Sequence, residues 1–158
     1  MIRVGLGIDV HPFVADGESR PLVLGGVLFD DRRGLRGHSD SDVVAHACCD
    51  ALLGAAGLED IGHHFPDTDA RWHNADSLTL LAEVAAMVRR AGWEPVNVDC
   101  SVVCEAPKLA PYRAAMCERL SAAVGADVSV KATRPERLGA LGREEGIACL
   151  AVALVDRP

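Results

Sequence analysis

Lysine is nearly missing from this chain: Lys108 and Lys131 are the only two, against fourteen arginines. Net charge is −7 over 158 residues. That sign argues against a general nucleic-acid binder, which needs a surplus of cations for phosphate contacts. Any phosphate chemistry here must draw positive charge from metals, helix N-termini or a few placed cations. No apolar run reaches the roughly 18 residues of a membrane-spanning helix, so no membrane partner is expected. The N-terminus arrives at Asp9 and His11 almost at once, without the long apolar stretch of a signal peptide. The expectation is a cytoplasmic protein. There is no internal repeat, no low-complexity linker and no CxxC pair. Cys48 and Cys49 are adjacent, and Cys100, Cys104, Cys117 and Cys149 are scattered. In a cytosolic chain these are expected to be reduced, buried, small hydrophobes.

What is present fits one domain spanning 1–158. Hydrophobic residues make up 49% and charged residues 25%, and a chain of this size can bury about 68–70% of its unfolded surface. Residues 2–8 and 21–29 read as strands, with a turn at 15–19 between them. Residues 41–56 have helical apolar spacing, with Ser39, Asp40 and Ser41 as N-cap candidates and Gly57 as a stop. Residues 60–74 read as a loop. A helix follows at 76–91, capped by Asp76 and closed by Arg89, Arg90 and Gly92. Residues 96–103 alternate like a strand, 104–108 form a loop, 111–124 a helix closed by Gly125, and 127–133 another strand. The Gly- and charge-rich stretch 134–146 leads to a last strand at 147–155. Strands separated by helices give an α/β (α+β) class.

Asp9 and His11 lie at i and i+2 in a strand-like segment, which points both side chains to one face. A His and a carboxylate are zinc-type ligands, and a catalytic zinc keeps three protein ligands and one open position. The best third ligand is His46. Asp50, four residues on, shares its helical face and could orient it from behind. Each part also has a plain reading: Asp9 as a strand end, His11 as a turn residue before Pro12, His46 as a core histidine. His38 and Ser39 precede the helix, where free N–H groups favour anions, although simple capping accounts for Ser39 equally well. Asp60-Ile61-Gly62 and Phe65-Pro66-Asp67-Thr68-Asp69 can accept from sugar hydroxyls or form a solvated turn. His63 and His64 read as surface residues. Lys131-Ala132-Thr133-Arg134-Pro135-Glu136 ends a strand with a hydroxyl, two cations and a carboxylate, a set suited to a diphosphate with a divalent ion.

Together these segments resemble the 2-C-methyl-D-erythritol 2,4-cyclodiphosphate synthase family over essentially the whole chain. The matching stretches are Gly-Ile-Asp-Val-His-Pro-Phe (7–13), Gly-His-Ser-Asp-Ser-Asp-Val (37–43), Asp-Ala-Leu-Leu-Gly-Ala-Ala (50–56), Asp-Ile-Gly (60–62), Phe-Pro-Asp-Thr-Asp (65–69), Asn-Val-Asp (97–99), Ala-Pro-Lys (106–108), Lys-Ala-Thr (131–133) and Glu-Gly-Ile-Ala (145–148). The resemblance implies a mixed β-sheet with helices on one face, assembled as a homotrimer whose active sites are shared between neighbouring subunits. The implied reaction is an intramolecular phosphoryl transfer in the non-mevalonate isoprenoid route. The 2-phosphate of 4-diphosphocytidyl-2-C-methyl-D-erythritol 2-phosphate attacks the β-phosphorus and releases CMP. By the same resemblance Asp9, His11 and His46 hold Zn²⁺, and Glu136 meets Mg²⁺ or Mn²⁺. His38 and the Arg134 position carry catalysis. Asp9, Val10, His11, His38, Ser39, residues 60–62 and 65–69 hold the sugar-phosphate end. Cys104, Glu105, Ala106, Pro107, Lys108, Leu109 and Ala110, with Thr133, Arg134, Pro135 and Glu136, match the cytidine and diphosphate side, and Ala140 and Arg143 are further substrate-binding positions. Arg143 and Glu145 match a pair that meets an anionic isoprenoid in the trimer channel.

The chain departs from the family at several points. A second threonine is replaced by Arg134, followed by Pro135; Ala140 replaces an aromatic; and Glu144, in place of a glycine, is strained if its backbone needs φ > 0. Cys104 and Glu105 vary the cytidine side. These departures leave an alternative: a catalytically weakened homologue that binds CDP or diphosphate as a regulator. A third reading, a metal phosphohydrolase, would release inorganic phosphate.

Overall fold

A computed structural model of the protein describes residues 1–30 and 32–157. Six strands run through it: β1 (Ile2–Pro12), β2 (Leu22–Leu24), β3 (Val27–Phe29), β4 (Glu94–Val103), β5 (Asp127–Thr133) and β6 (Gly146–Asp156). The helices are α1 (Val43–Ala56), α2 (Ile61–His64), α3 (Ser77–Arg90), α4 (Arg113–Val124) and α5 (Gly139–Gly142). The main sheet has the order β1-β6-β4-β5. β6 is antiparallel to both β1 and β4, and β4 and β5 are parallel, joined through α4. The sheet is therefore mixed, as expected.

Three expectations need correction. Residues 21–29 are a hairpin, β2 with β3, because Gly25 and Gly26 take left-handed backbone (φ 58° and 72°) and turn the chain back. β1 runs on to Pro12, so Asp9 and His11 lie inside a strand and neither is a turn residue. The N-cap of α1 is Asp42, and neither Ser39, Asp40 nor Ser41 takes that place. Asp42 accepts from Val44 N and Ala45 N at 3.1 Å, and also from Gly25 N and Gly26 N at 2.8 and 2.6 Å. One buried carboxylate thus ties the hairpin turn to the helix start. Burial pushes its pKa up to about 6 against these N–H donors. The loop at 60–74 contains α2 and a single 3₁₀ turn, Ala70–Trp72.

The pleat of the sheet divides its residues cleanly. Gly5, Gly7, Val98, Cys100, Val102, Val128, Val130, Ala151, Ala153 and Val155 are buried against the helices. On β1 the alternate residues Ile2, Val4, Leu6, Ile8 and Val10 are 57–67% exposed, with Leu150 and Val152 of β6 beside them. The helices thus cover one face, and the other is apolar and open over β1 and β6. α1 is buried nearly all round, as its alanine-rich sequence requires. It lies so close on β1 that a Cβ at Gly5 or Gly7 would collide with the helix backbone at Ala51 and Ala55, or at Ala47 and Ala51. All six cysteines are free, with only Cys117 partly exposed. The expectation of reduced thiols holds, with Cys48 and Cys100 in sulfur contact at 3.3 Å.

A candidate metal and phosphate site

The close contact of α1 with β1 places His46 beside Asp9 and His11. One ligand atom from each of the three lies within 4.8 Å of the other two. Asp9 Oδ2 is 2.9 Å from His11 Nε2 and 3.2 Å from His46 Nδ1. Asp9 Oδ2 and His11 Nε2 are nevertheless buried without an aligned hydrogen bond. Two buried polar atoms left without a partner, close to His46 Nδ1, form a donor set that a cation would satisfy. Two imidazoles and one carboxylate fit a zinc-type ion with an open position. His11 Nδ1 donates to the Arg36 carbonyl at 2.9 Å, which leaves Nε2 as the ligating atom. Gly37 allows this approach, since a Cβ there would press on the His11 ring and Ser41.

The residues behind His46 differ from those expected. Asp50 accepts from Ile61 N at 2.8 Å and so fixes the start of α2, and it makes no hydrogen bond to His46. His46 Nε2 meets Ser77 Oγ at 2.9 Å and Ser39 Oγ at 3.0 Å. Ser77 in turn donates through Oγ and N to the Asp40 carboxylate. An Asp40–Ser77–His46 relay therefore holds the ring. Ser77 had no signal beyond its place after the α3 cap, because a contact spanning 31 residues leaves no local pattern.

The electrostatics follow from this packing. Burial raises the Asp9 carboxyl, but the close imidazoles of His11 and His46 outweigh it and hold Asp9 well below the carboxylate range. Burial lowers His11, but the Asp9 carboxylate outweighs it and the net shift is upward from 6.5. In the metal-free protein His11 therefore contributes stability below pH ~6.5 that is lost as pH rises through its raised pKa. Asp9 contributes stability above pH ~3.9 that is lost only in strong acid. A metal must displace the His11 proton. Metal affinity is expected to fall at least tenfold per pH unit below the His11 pKa, with at least one proton released per ion. Calorimetric titration in buffers of different ionisation enthalpy measures this, and a pH-independent affinity would contradict it.

A cleft of about 460 Å³ opens onto this group. His38, Ser39, Ile61, Gly62, Phe65, Pro66 and Asp67 line it. Some expected side chains are engaged elsewhere. Asp60 Oδ1 caps α2 through His63 N, the Asp69 carboxylate is held by Arg71, and Val10 points to the open face of the sheet. Asp69 still contributes its carbonyl, 3.3 Å from His38 Nε2. Trp72 and Leu80 line the cleft without having been singled out, and His73 stacks near His38 with ring centroids 5.3 Å apart. The 70–74 stretch has no periodicity to betray Trp72 and His73.

The second half of the expected site lies elsewhere. Residues Cys104–Ala110, Ala132 and Arg134 line a separate cleft of about 480 Å³ that shares no lining residue with the first. Burial pushes the Cys104 thiol up to about 11. Thr133 ends β5 and Glu136 follows in an exposed turn with φ 52°; Glu136 is not part of the Asp9 group. Arg143 pairs with Glu145 at 2.8 Å, and Ala140 is exposed on α5. Glu144 takes φ 58°, the strained conformation anticipated for it.

The YgbB family profile matches residues 2–156. The chain belongs to the YgbB family. A relative from Rubrobacter xylanophilus, named 2-C-methyl-D-erythritol 2,4-cyclodiphosphate synthase, is 59% identical over 98% of this chain and 95% of its own. Among solved structures, the bifunctional IspDF of Campylobacter jejuni superposes with TM-score 0.93 at 43% identity, covering all of this chain and 43% of that one. A CDP complex of IspF from Plasmodium falciparum superposes at 0.85 with 31% identity, covering 99% of this chain and 96% of that one. The family resemblance read from the motifs is thereby borne out, and the relatives' names give no support to a weakened regulatory homologue.

Proposed function

We propose that this protein converts 4-diphosphocytidyl-2-C-methyl-D-erythritol 2-phosphate to 2-C-methyl-D-erythritol 2,4-cyclodiphosphate and CMP. An oxygen of the 2-phosphate bonds to the β-phosphorus, and the bond from that phosphorus to the bridging oxygen breaks as CMP leaves. The observation that carries the reading is the Asp9–His11–His46 group opening onto the cleft walled by His38. The nucleophile is already an anion and CMP is a stable leaving group, so neither a strong base nor a strong acid is required. What is required is folding the substrate back on itself and neutralising its charge.

Asp9, His11 and His46 would hold Zn²⁺, which when bound supplies Lewis-acid polarisation and a fixed template. Glu136 would hold Mg²⁺ or Mn²⁺. His38 exchanges the Asp69 carbonyl for a phosphate oxygen, which aims its N–H at the reacting group. Ile61, Gly62 and residues 65–69 exclude water around the methylerythritol. The cleft of residues 104–110 takes the cytidine, and Thr133 and Arg134 meet the diphosphate. Purified protein given substrate and Mg²⁺ is expected to release CMP in equal amount with the cyclic product. Inorganic phosphate in place of CMP would instead identify a hydrolase.

The working unit of this reading is a cytoplasmic homotrimer of one-domain chains. Two observations support it. The two half-sites lie in separate clefts of one chain, so neighbours can complete each other's sites. The open face of β1 and β6 carries a contiguous run of exposed aliphatic side chains, the kind of surface that marks a protein–protein contact. In the trimer it would line the threefold channel, where the Arg143–Glu145 pair could meet an anionic isoprenoid. Leu6→Asp with Ile8→Asp is expected to give monomers by light scattering and to abolish CMP release. A trimer that survives both substitutions would rule this face out as the interface.

A further inference from the structure

The second cleft contains a contact that no motif accounts for. Glu105 is almost covered, its side chain 7% exposed, whereas Arg134 is two-thirds exposed. Glu105 Oε1 accepts from Arg134 Nη2 at 3.1 Å, and its other oxygen accepts from Arg137 N at 3.2 Å. The carboxylate therefore grips both ends of the 134–137 turn. That turn needs a grip, because Glu136 and Arg137 are successive non-glycine residues in left-handed backbone (φ 52° and 62°). Arg134 and Lys108 are the two cations lining this cleft among the described residues.

We propose that Glu105 is a positioning residue: it pre-sets the Arg134 guanidinium toward the diphosphate. This rests on the synthase reading above. A guanidinium has five N–H donors in a rigid fork. Glu105 engages one of them, which leaves the others free for phosphate oxygens. An exposed arginine without that anchor would lose rotamer freedom at each turnover, and the anchor removes this loss in advance. The same carboxylate holds the turn that carries Glu136, so one buried side chain sets both the cation and the expected metal ligand.

Kinetics of the holoenzyme test the proposal. Arg134→Ala is expected to lower kcat by about a hundredfold, and Glu105→Ala by about tenfold or more, each with a smaller change in KM. Glu105→Gln keeps an acceptor for Arg137 N but loses the ion pair. It is expected to keep the wild-type melting temperature and still lose several-fold in kcat. With Arg134 already alanine, Glu105→Gln should cost nothing further, since there is no guanidinium left to aim. Equal losses from Glu105→Gln in both backgrounds would overturn the proposal, as would an Arg134→Ala enzyme as fast as wild type. These outcomes are distinct from failure of the synthase reading, in which the wild-type protein itself would release no CMP.

Discussion

Replacing His11 by alanine is expected to remove bound metal and turnover together while leaving the fold in place. His11 supplies an Nε2 that is buried, near Asp9 Oδ2 and without an aligned hydrogen bond. A two-ligand remnant of Asp9 and His46 cannot hold a tetrahedral ion against water. The loss of Lewis-acid stabilisation is several kcal/mol, which corresponds to a fall of about 10³-fold or more in kcat/KM. The ring is at the cleft edge and no core residue depends on it, so circular dichroism should match wild type. Metal content by mass spectrometry and CMP release are the two measurements. His63→Ala provides the comparison: that imidazole pairs with Glu59 on the surface and neither loss should follow. A His11→Ala protein that keeps stoichiometric metal would refute the assignment of the trio.

Much of this site was legible in the sequence because its elements are local. Asp9 and His11 share a strand face by period, Asp76 announces α3 by capping chemistry, and Gly57 and Gly125 close helices by left-handed backbone. The parts that were missed depend on contacts distant in sequence. Asp42 caps α1 because the Gly25–Gly26 turn also needs its carboxylate, and a hairpin partner 16 residues away cannot be read from a capping pattern. The same turn split the expected strand at 21–29, since a Gly-Gly pair inside an apolar run is compatible with either form until its φ angles are known. Asp50 was the natural helical neighbour of His46, but the start of α2 claimed it and Ser77 took its place. Glu105 read as a departure on the cytidine side, and its contact with Arg134, 29 residues away in sequence, leaves no local pattern.

Gly7→Val is expected to damage stability and the metal site at once, through one displacement. A Cβ at Gly7 would lie 2.6 Å from the Ala51 nitrogen and closer still to the Ala47 carbonyl oxygen, against an ordinary contact of at least 3.4 Å. Both are helix backbone atoms, so no side chain can swing away and α1 must retreat by roughly 1 Å. Overpacking of this kind costs about 3 kcal/mol or more, a fall of about 10 °C in Tm for a chain of this length. The retreat does not stay local. His46 immediately precedes Ala47 on the same helix, whereas Asp9 and His11 remain on β1, so the helix carries one ligand away from the other two. Metal affinity should therefore fall even in protein that stays folded. Gly54→Ala is the matched comparison within α1. A Cβ there meets nothing within 4 Å, and removing a glycine from the helix should stabilise it by about 0.5–1 kcal/mol. Opposite signs from a glycine inside the β1–α1 contact and one on the open side of the same helix would show that the site is held by close backbone approach. A Gly7→Val protein with native Tm and full metal would show that α1 can move without cost, and the ligand geometry would then need another origin.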